Sequence, residues 1–158
     1  MNGAAMDTIE KMLQELGLAL PAPAVPIGSY VPYRMSGNTL YLSGVLSVRD
    51  GALTHAGPVG KDQTVESGYA AAQVCALNAL ASAKAALGSL GRVREILLVN
   101  GFVNAVAGFE QSPQVINGAS DLFVKLYGEA GKHARAAVGV SGLPRNATVE
   151  IQVTLRFE

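Results

Sequence analysis

His133-Ala-Arg-Ala-Ala-Val-Gly-Val-Ser-Gly-Leu-Pro-Arg-Asn-Ala-Thr-Val-Glu-Ile-Gln-Val-Thr-Leu-Arg-Phe157 decides how the rest of the chain is read. From Thr148 the residues alternate. Val149, Ile151, Val153, Leu155 and Phe157 fall on one side, and Thr148, Glu150, Gln152, Thr154 and Arg156 on the other. A period of two marks a strand with one apolar and one polar face. The segment before the Gly/Pro/Asn turn places Arg135, Ala137 and Gly139 on one side, so a long cation is followed by nothing larger than a methyl group. Such a strip is a floor on which something small can lie.

If the two strands close on each other as a hairpin, with Val140 opposite Ala147, Arg135 falls opposite Gln152. Glu150 then falls opposite Ala137, one diagonal step from Arg135, a separation of roughly 7–8 Å. One face would carry a guanidinium, a carboxylate and an amide around an emptied patch. A slip of one residue would turn Glu150 to the other face. On periodicity alone, Arg135 and Glu150 read as an ion pair across the hairpin.

The chain has 158 residues, enough for one domain with a real core. Hydrophobic residues make up 49% with no Trp, so Ala, Val, Leu and Gly carry the burial, which suits close-packed helices on a sheet. Twelve basic and twelve acidic residues cancel without a Lys/Arg run, which disfavours nucleic-acid binding. A single cysteine, Cys75, reads as an inert buried thiol and fits a reducing compartment. Asp7 and Glu10 stand where a secretory signal would carry positive charge, and no apolar run reads as a membrane span. A cytoplasmic protein is expected.

In chain order, Asp7 to Leu16 reads as a short amphipathic helix, and a proline-rich connector runs extended to Pro26. The division is therefore an N-terminal helix and connector, residues 1–24, before a domain over 25–158. Ile27 to Gly44 reads as a hairpin turning at Ser36-Gly37-Asn38, and Asp50-Gly51 as the next turn. Asp62 or Thr64 caps the longest helix, which reaches Leu87 with Val65, Tyr69, Ala72, Ala76, Leu80, Ala83 and Leu87 as its buried stripe. Val93 to Val106 is a central strand interrupted at Asn100-Gly101, and Ser112-Pro113 opens the last helix. His133, after a loop, reads as solvent-exposed. The architecture is α+β, a mixed sheet with two helices on one face. The other face has no third layer left to cover it, so a homo-oligomer is expected.

Two motifs carry a resemblance. One is Arg-x-x-Val-x-Val-x-x-Leu-Pro-x-x-x-x-Val-Glu-Ile from Arg135 to Ile151. The other is the run of Gly28, Tyr30, Gly37, Asn38, Ser43 and Gly44, with Asn117 a further matching position. From Ile27 to Phe157 the chain resembles the reactive-intermediate deaminase (RidA, or YjgF) family, and within it a longer subgroup without an assigned activity. The resemblance implies a fold like bacterial chorismate mutase and a homotrimer with a central barrel. It also implies hydrolysis of short 2-imino acids and enamines to 2-keto acids and ammonia, in clefts between subunits. Carried over by position, Arg135 grips the substrate carboxylate, Glu150 manages the water, and Tyr30 lines the pocket. Gly44 offers backbone contacts and Asn117 shapes the cleft. The backbone of Ala137 binds substrate where the family often has Cys.

The chemistry agrees with these residue types. A guanidinium holds a planar carboxylate by two parallel bonds, and an electrophilic imine carbon needs only an oriented water. Neither a metal nor a cofactor is required. Val45, Val31 and Gln152 depart from the family pattern, and Val45 and Val31 bear on substrate identity. A non-catalytic carboxylate-binding trimer and an endoribonuclease are the competing readings.

Overall fold

The structure is a computed structural model that describes residues 6–158. Helix α1 (Thr8–Glu15) starts where Asp7 Oδ1 accepts from the Glu10 amide at 2.8 Å. Strands β1 (Tyr33–Ser36) and β2 (Thr39–Leu42) form the first hairpin, with Gly37 at φ 58° in the turn. The second arm then breaks at Ser43-Gly44 into β3 (Val45–Leu46) and β4 (Val48–Arg49), and β4 pairs with β5 (Ala52–Leu53). Helix α2 (Val65–Leu87) is capped by Thr64, whose hydroxyl and Ser67 bond reciprocally with each other's backbone, and it ends at Gly88 in the left-handed conformation. Strand β6 (Val93–Asn104), helix α3 (Ser112–Tyr127), β7 (Ala134–Val140) and β8 (Val149–Phe157) complete the chain.

The sheet order is β1-β2-β8-β6-β7, with β3 also on β8. The expected hairpin between β7 and β8 therefore does not form. β6 lies between them, parallel to β7 and antiparallel to β8. A parallel pair needs a crossover, and α3 supplies it. Directly paired residues share a face, so the rows can be read off. Val153, Val99 and Arg135 form one row, and Ile151, Gly101 and Ala137 another, on the helix side. Glu150, Phe102 and Val138 form a row on the opposite, open side. With β6 between the two strands, Arg135 and Glu150 fall on opposite faces.

The alternation of β8 holds. Val149, Ile151, Val153 and Leu155 are buried beneath α2, and α3 lies on β6 and β7. Gly101 does not interrupt β6; it lets α3 settle, since a Cβ there would stand 2.5 Å from Ile116 Cγ1. Gly118 does the same between helices, its missing Cβ falling 2.0 Å from the Tyr69 carbonyl oxygen. α2 is buried on more than the expected stripe, whereas Tyr69 is exposed and donates to Asp121 Oδ2 at 2.7 Å. By length and hydropathy α2 is long and apolar enough to span a membrane, contrary to expectation, but 72% of its apolar window is buried in the protein. The open face of the sheet carries exposed Tyr41, Leu98 and Val138. Among the described residues nothing covers it.

Candidate functional site

Arg135 lies near the start of β7, the edge strand, and its side chain runs up the helix side to α3. Its Nη1 donates to Asn117 Oδ1 at 2.7 Å and to Ser120 Oγ at 3.1 Å. Asn117 and Ser120 are three apart on α3 and so present on one face. Nη1 carries two hydrogens, and both are used. Among the described residues, Nε–H and the two hydrogens of Nη2 have no protein acceptor, and that edge is the one that matches a carboxylate. The strip beyond Arg135 carries only small side chains, but it is not an open floor, because Ala137 packs against the core where α3 lies on β7. Ala137 is half-buried and Gly139 exposed, and both lie on the same side.

His133 is not a free surface histidine. Nε2 lies 2.8 Å from Ser120 Oγ and Nδ1 lies 2.7 Å from the Gly131 carbonyl oxygen, while Phe123 meets the ring edge-on at 6.0 Å. Burial pushes its pKa down, and the Arg135 charge adds to this against the opposing Gly131 bond. Gly131 can bring its carbonyl here because it packs on α3, where a Cβ would stand 2.2 Å from the Phe123 carbonyl oxygen. Ser120 and His133 were missed from sequence. A signal existed, since a period of two puts His133 on the same side as Arg135.

Glu150 sits elsewhere, half-buried on the open face and paired to Leu46 and Phe102. Its carboxylate lies over Gly44, where a Cβ would stand 3.2 Å from Cδ and 3.4 Å from Oε2. Burial raises its pKa above the ordinary carboxyl value. Tyr30, about half exposed, overlooks a cleft of about 550 Å³ whose wall includes Arg34, Tyr41, Ser43 and Gln152. A small crevice beside it is lined by Tyr30, Ser43, Gly44 and Val45. The structure thus gathers Arg135, Asn117 and Ala137 at one sheet edge, and Glu150, Gly44 and Tyr30 in a second group. Three rows and two strand spacings separate Arg135 from Glu150, roughly 14 Å at the backbone, and the two face opposite ways.

Other features are quieter. A cavity of about 580 Å³ lies between α1, the proline connector and α2, and its charged rim is the Glu10–Lys84 ion pair. Cys75 is buried and donates to the Val149 carbonyl oxygen at 3.4 Å; burial holds its thiol well above the ordinary value. Among the described residues no group of three His, Cys, Asp or Glu is placed to hold a metal ion.

A family model described as "YjgF/chorismate_mutase-like, putative endoribonuclease" matches residues 10–155. The chain belongs to the YjgF/RidA family. It is 43% identical over 158 residues to Protein TCP17 of Trypanosoma cruzi, with 99% of each chain covered. Among solved structures it is 47% identical to Atu1372 of Agrobacterium tumefaciens, a protein of unknown function. That match has a TM-score of 0.89 and covers 95% of this chain and 92% of the other. It is 27% identical to RidA from an Antarctic Psychrobacter species, with a TM-score of 0.61, covering 96% of this chain and 98% of that one. The fold is thus the chorismate-mutase-like fold of the YjgF/RidA family, a mixed sheet with three helices.

Proposed function

We propose that the protein hydrolyses short-chain 2-imino acids and their enamine tautomers to 2-keto acids and ammonia, in clefts between the subunits of a cytoplasmic homotrimer. The observation that carries this is the state of Arg135. One guanidinium nitrogen is saturated by Asn117 and Ser120, and the opposite edge is left for a planar carboxylate. The half-buried Glu150 with its raised pKa suits a group that takes a proton from water as the oxygen adds to the imine carbon. Glu150 passes that proton to the imine nitrogen to give the carbinolamine, and as the C–N bond breaks the hydroxyl proton moves to nitrogen, leaving the 2-keto acid and ammonia.

Arg135 and Glu150 of one chain point to opposite faces, so the reading requires Glu150 of the partner subunit beside Arg135. Exposed Tyr41, Leu98 and Val138 on the uncovered face support assembly through that face. Tyr30 and the Gly44 backbone would line the partner's wall of the cleft, and the outer backbone edge of β7 at Ala137 would meet the substrate. Arg135→Ala should abolish hydrolysis of freshly generated 2-iminopropanoate while light scattering gives an unchanged mass. Turnover equal to wild type would refute the assignment.

A second reading, carboxylate binding without turnover, is favoured by one observation: the Arg135–Asn117–Ser120 group is complete within a chain, whereas the acid is not. Thermal stabilisation by keto acids without product release would select it. Ribonuclease action, suggested by the family's description, has only the balanced charge of 12 basic and 12 acidic residues to draw on, and ranks last.

A further inference from the structure

The structure places a chain of hydrogen-bonded groups behind Arg135, and the chemistry of its members gives the chain a direction. The Gly131 carbonyl can only accept, so His133 Nδ1, 2.7 Å away, carries a hydrogen. Burial and the neighbouring guanidinium lower its pKa from the ordinary histidine value against the opposing Gly131 bond, so above neutral pH the ring is uncharged and Nε2 is left as an acceptor. The Ser120 hydroxyl, 2.8 Å from Nε2, therefore spends its only hydrogen on the imidazole. Its lone pairs are then turned to Arg135 Nη1 at 3.1 Å, beside the 2.7 Å bond that Nη1 gives Asn117 Oδ1. Each link fixes the polarity of the next, starting from a backbone carbonyl that cannot rotate.

We propose that Ser120 and His133 are positioning residues for Arg135: the chain from the Gly131 carbonyl through His133 and Ser120 holds Nη1 in place and aims the Nε/Nη2 edge at the substrate carboxylate. Without the imidazole the Ser120 hydroxyl is free to rotate its hydrogen toward the guanidinium and repel it. Without the hydroxyl Nη1 keeps one partner, and the guanidinium plane can turn about that single bond. Arg135 is exposed and at a sheet edge, so packing does not hold the plane in place of these bonds. A fork that wanders pays orientation entropy each time it captures a carboxylate.

The proposal rests on the carboxylate-binding role of Arg135, and calorimetric titration with 2-oxobutanoate separates the two. Wild type should bind. Ser120→Ala should weaken binding about tenfold, the scale of one lost hydrogen bond to a charged group. His133→Ala should weaken it by about three- to tenfold, and the double variant by no more than the stronger single. Ser120→Thr, which restores the hydroxyl on the same helix face, should regain most of the affinity, a recovery that loss of packing would not show. In ¹⁵N spectra at pH 7.5 His133 should be the neutral tautomer with the hydrogen on Nδ1. Wild type that binds while Ser120→Ala and His133→Ala bind equally well overturns the positioning role alone. So does a His133 ring protonated on Nε2. Wild type that binds no keto acid overturns the carboxylate site and the chain's purpose with it.

Discussion

Arg135→Lys tests the geometry of the cation more sharply than its removal. The guanidinium has five N–H donors, of which Nη1 commits two to Asn117 and Ser120 and the remaining three face the open edge. An ammonium has three donors on one atom. If it keeps both protein partners, a single N–H is left for the substrate, and if it turns to the substrate it abandons α3. Either way one charge-assisted hydrogen bond is lost, about 1.5–3 kcal/mol, and KM for the imino acid should rise by roughly 10–150-fold. The positive charge persists and Glu150 is untouched, so kcat should stay within about threefold. Because Arg135 is exposed on an edge strand, the folding free energy should move by no more than about 0.5 kcal/mol. The assay is keto-acid release from freshly generated 2-iminopropanoate over a range of concentrations. A KM equal to wild type would refute the two-edge account of the guanidinium, and so would a collapsed kcat at unchanged KM.

Three further outcomes concern the acid. Burial raises the folded pKa of Glu150, so its ionisation costs stability above that pKa and costs nothing below the ordinary value of 4.5. Glu150→Gln should accordingly melt higher than wild type at pH 8, with the difference vanishing below pH 4.5, and equal melting at pH 8 would contradict the burial argument. The same variant should lose the acid limb of the kcat/KM profile along with about 10²–10⁴ of the rate. Gly44→Ala would set a Cβ 3.2 Å from Glu150 Cδ and push the carboxylate by a few tenths of an ångström. A fall in kcat of about two- to tenfold with KM unchanged is expected, and a changed KM with normal kcat would place Glu150 in binding instead.

Much of the fold was legible because the local signals were strong. Asp7, Thr64 and Pro113 start the three helices, Gly37 turns the first hairpin, and the alternation from Val149 to Leu155 names the buried face of β8. The partners of β7 and β8 were not legible. A Gly/Pro/Asn turn between two strands reads as a hairpin, but nothing in either strand reveals that a strand 30 residues upstream will separate them. That single non-local pairing put Arg135 on the helix side, away from Glu150. Asn100-Gly101 misled for a related reason, because the glycine answers Ile116 on another element and not a turn of its own. The site residues were found through motifs. Their supports, Ser120 and His133, needed the packing of α3 on β7 to be seen.

The central claim is that a working site takes its cation from one copy and its acid from another. The direct measurement mixes Arg135→Ala and Glu150→Gln chains by co-refolding and compares their imine hydrolysis with each variant alone. Random assortment restores both residues to roughly a quarter of the clefts, so about a quarter of wild-type activity should return from two nearly inactive proteins. Mixed assemblies, verified by mass, that remain as inactive as their parents would contradict the account.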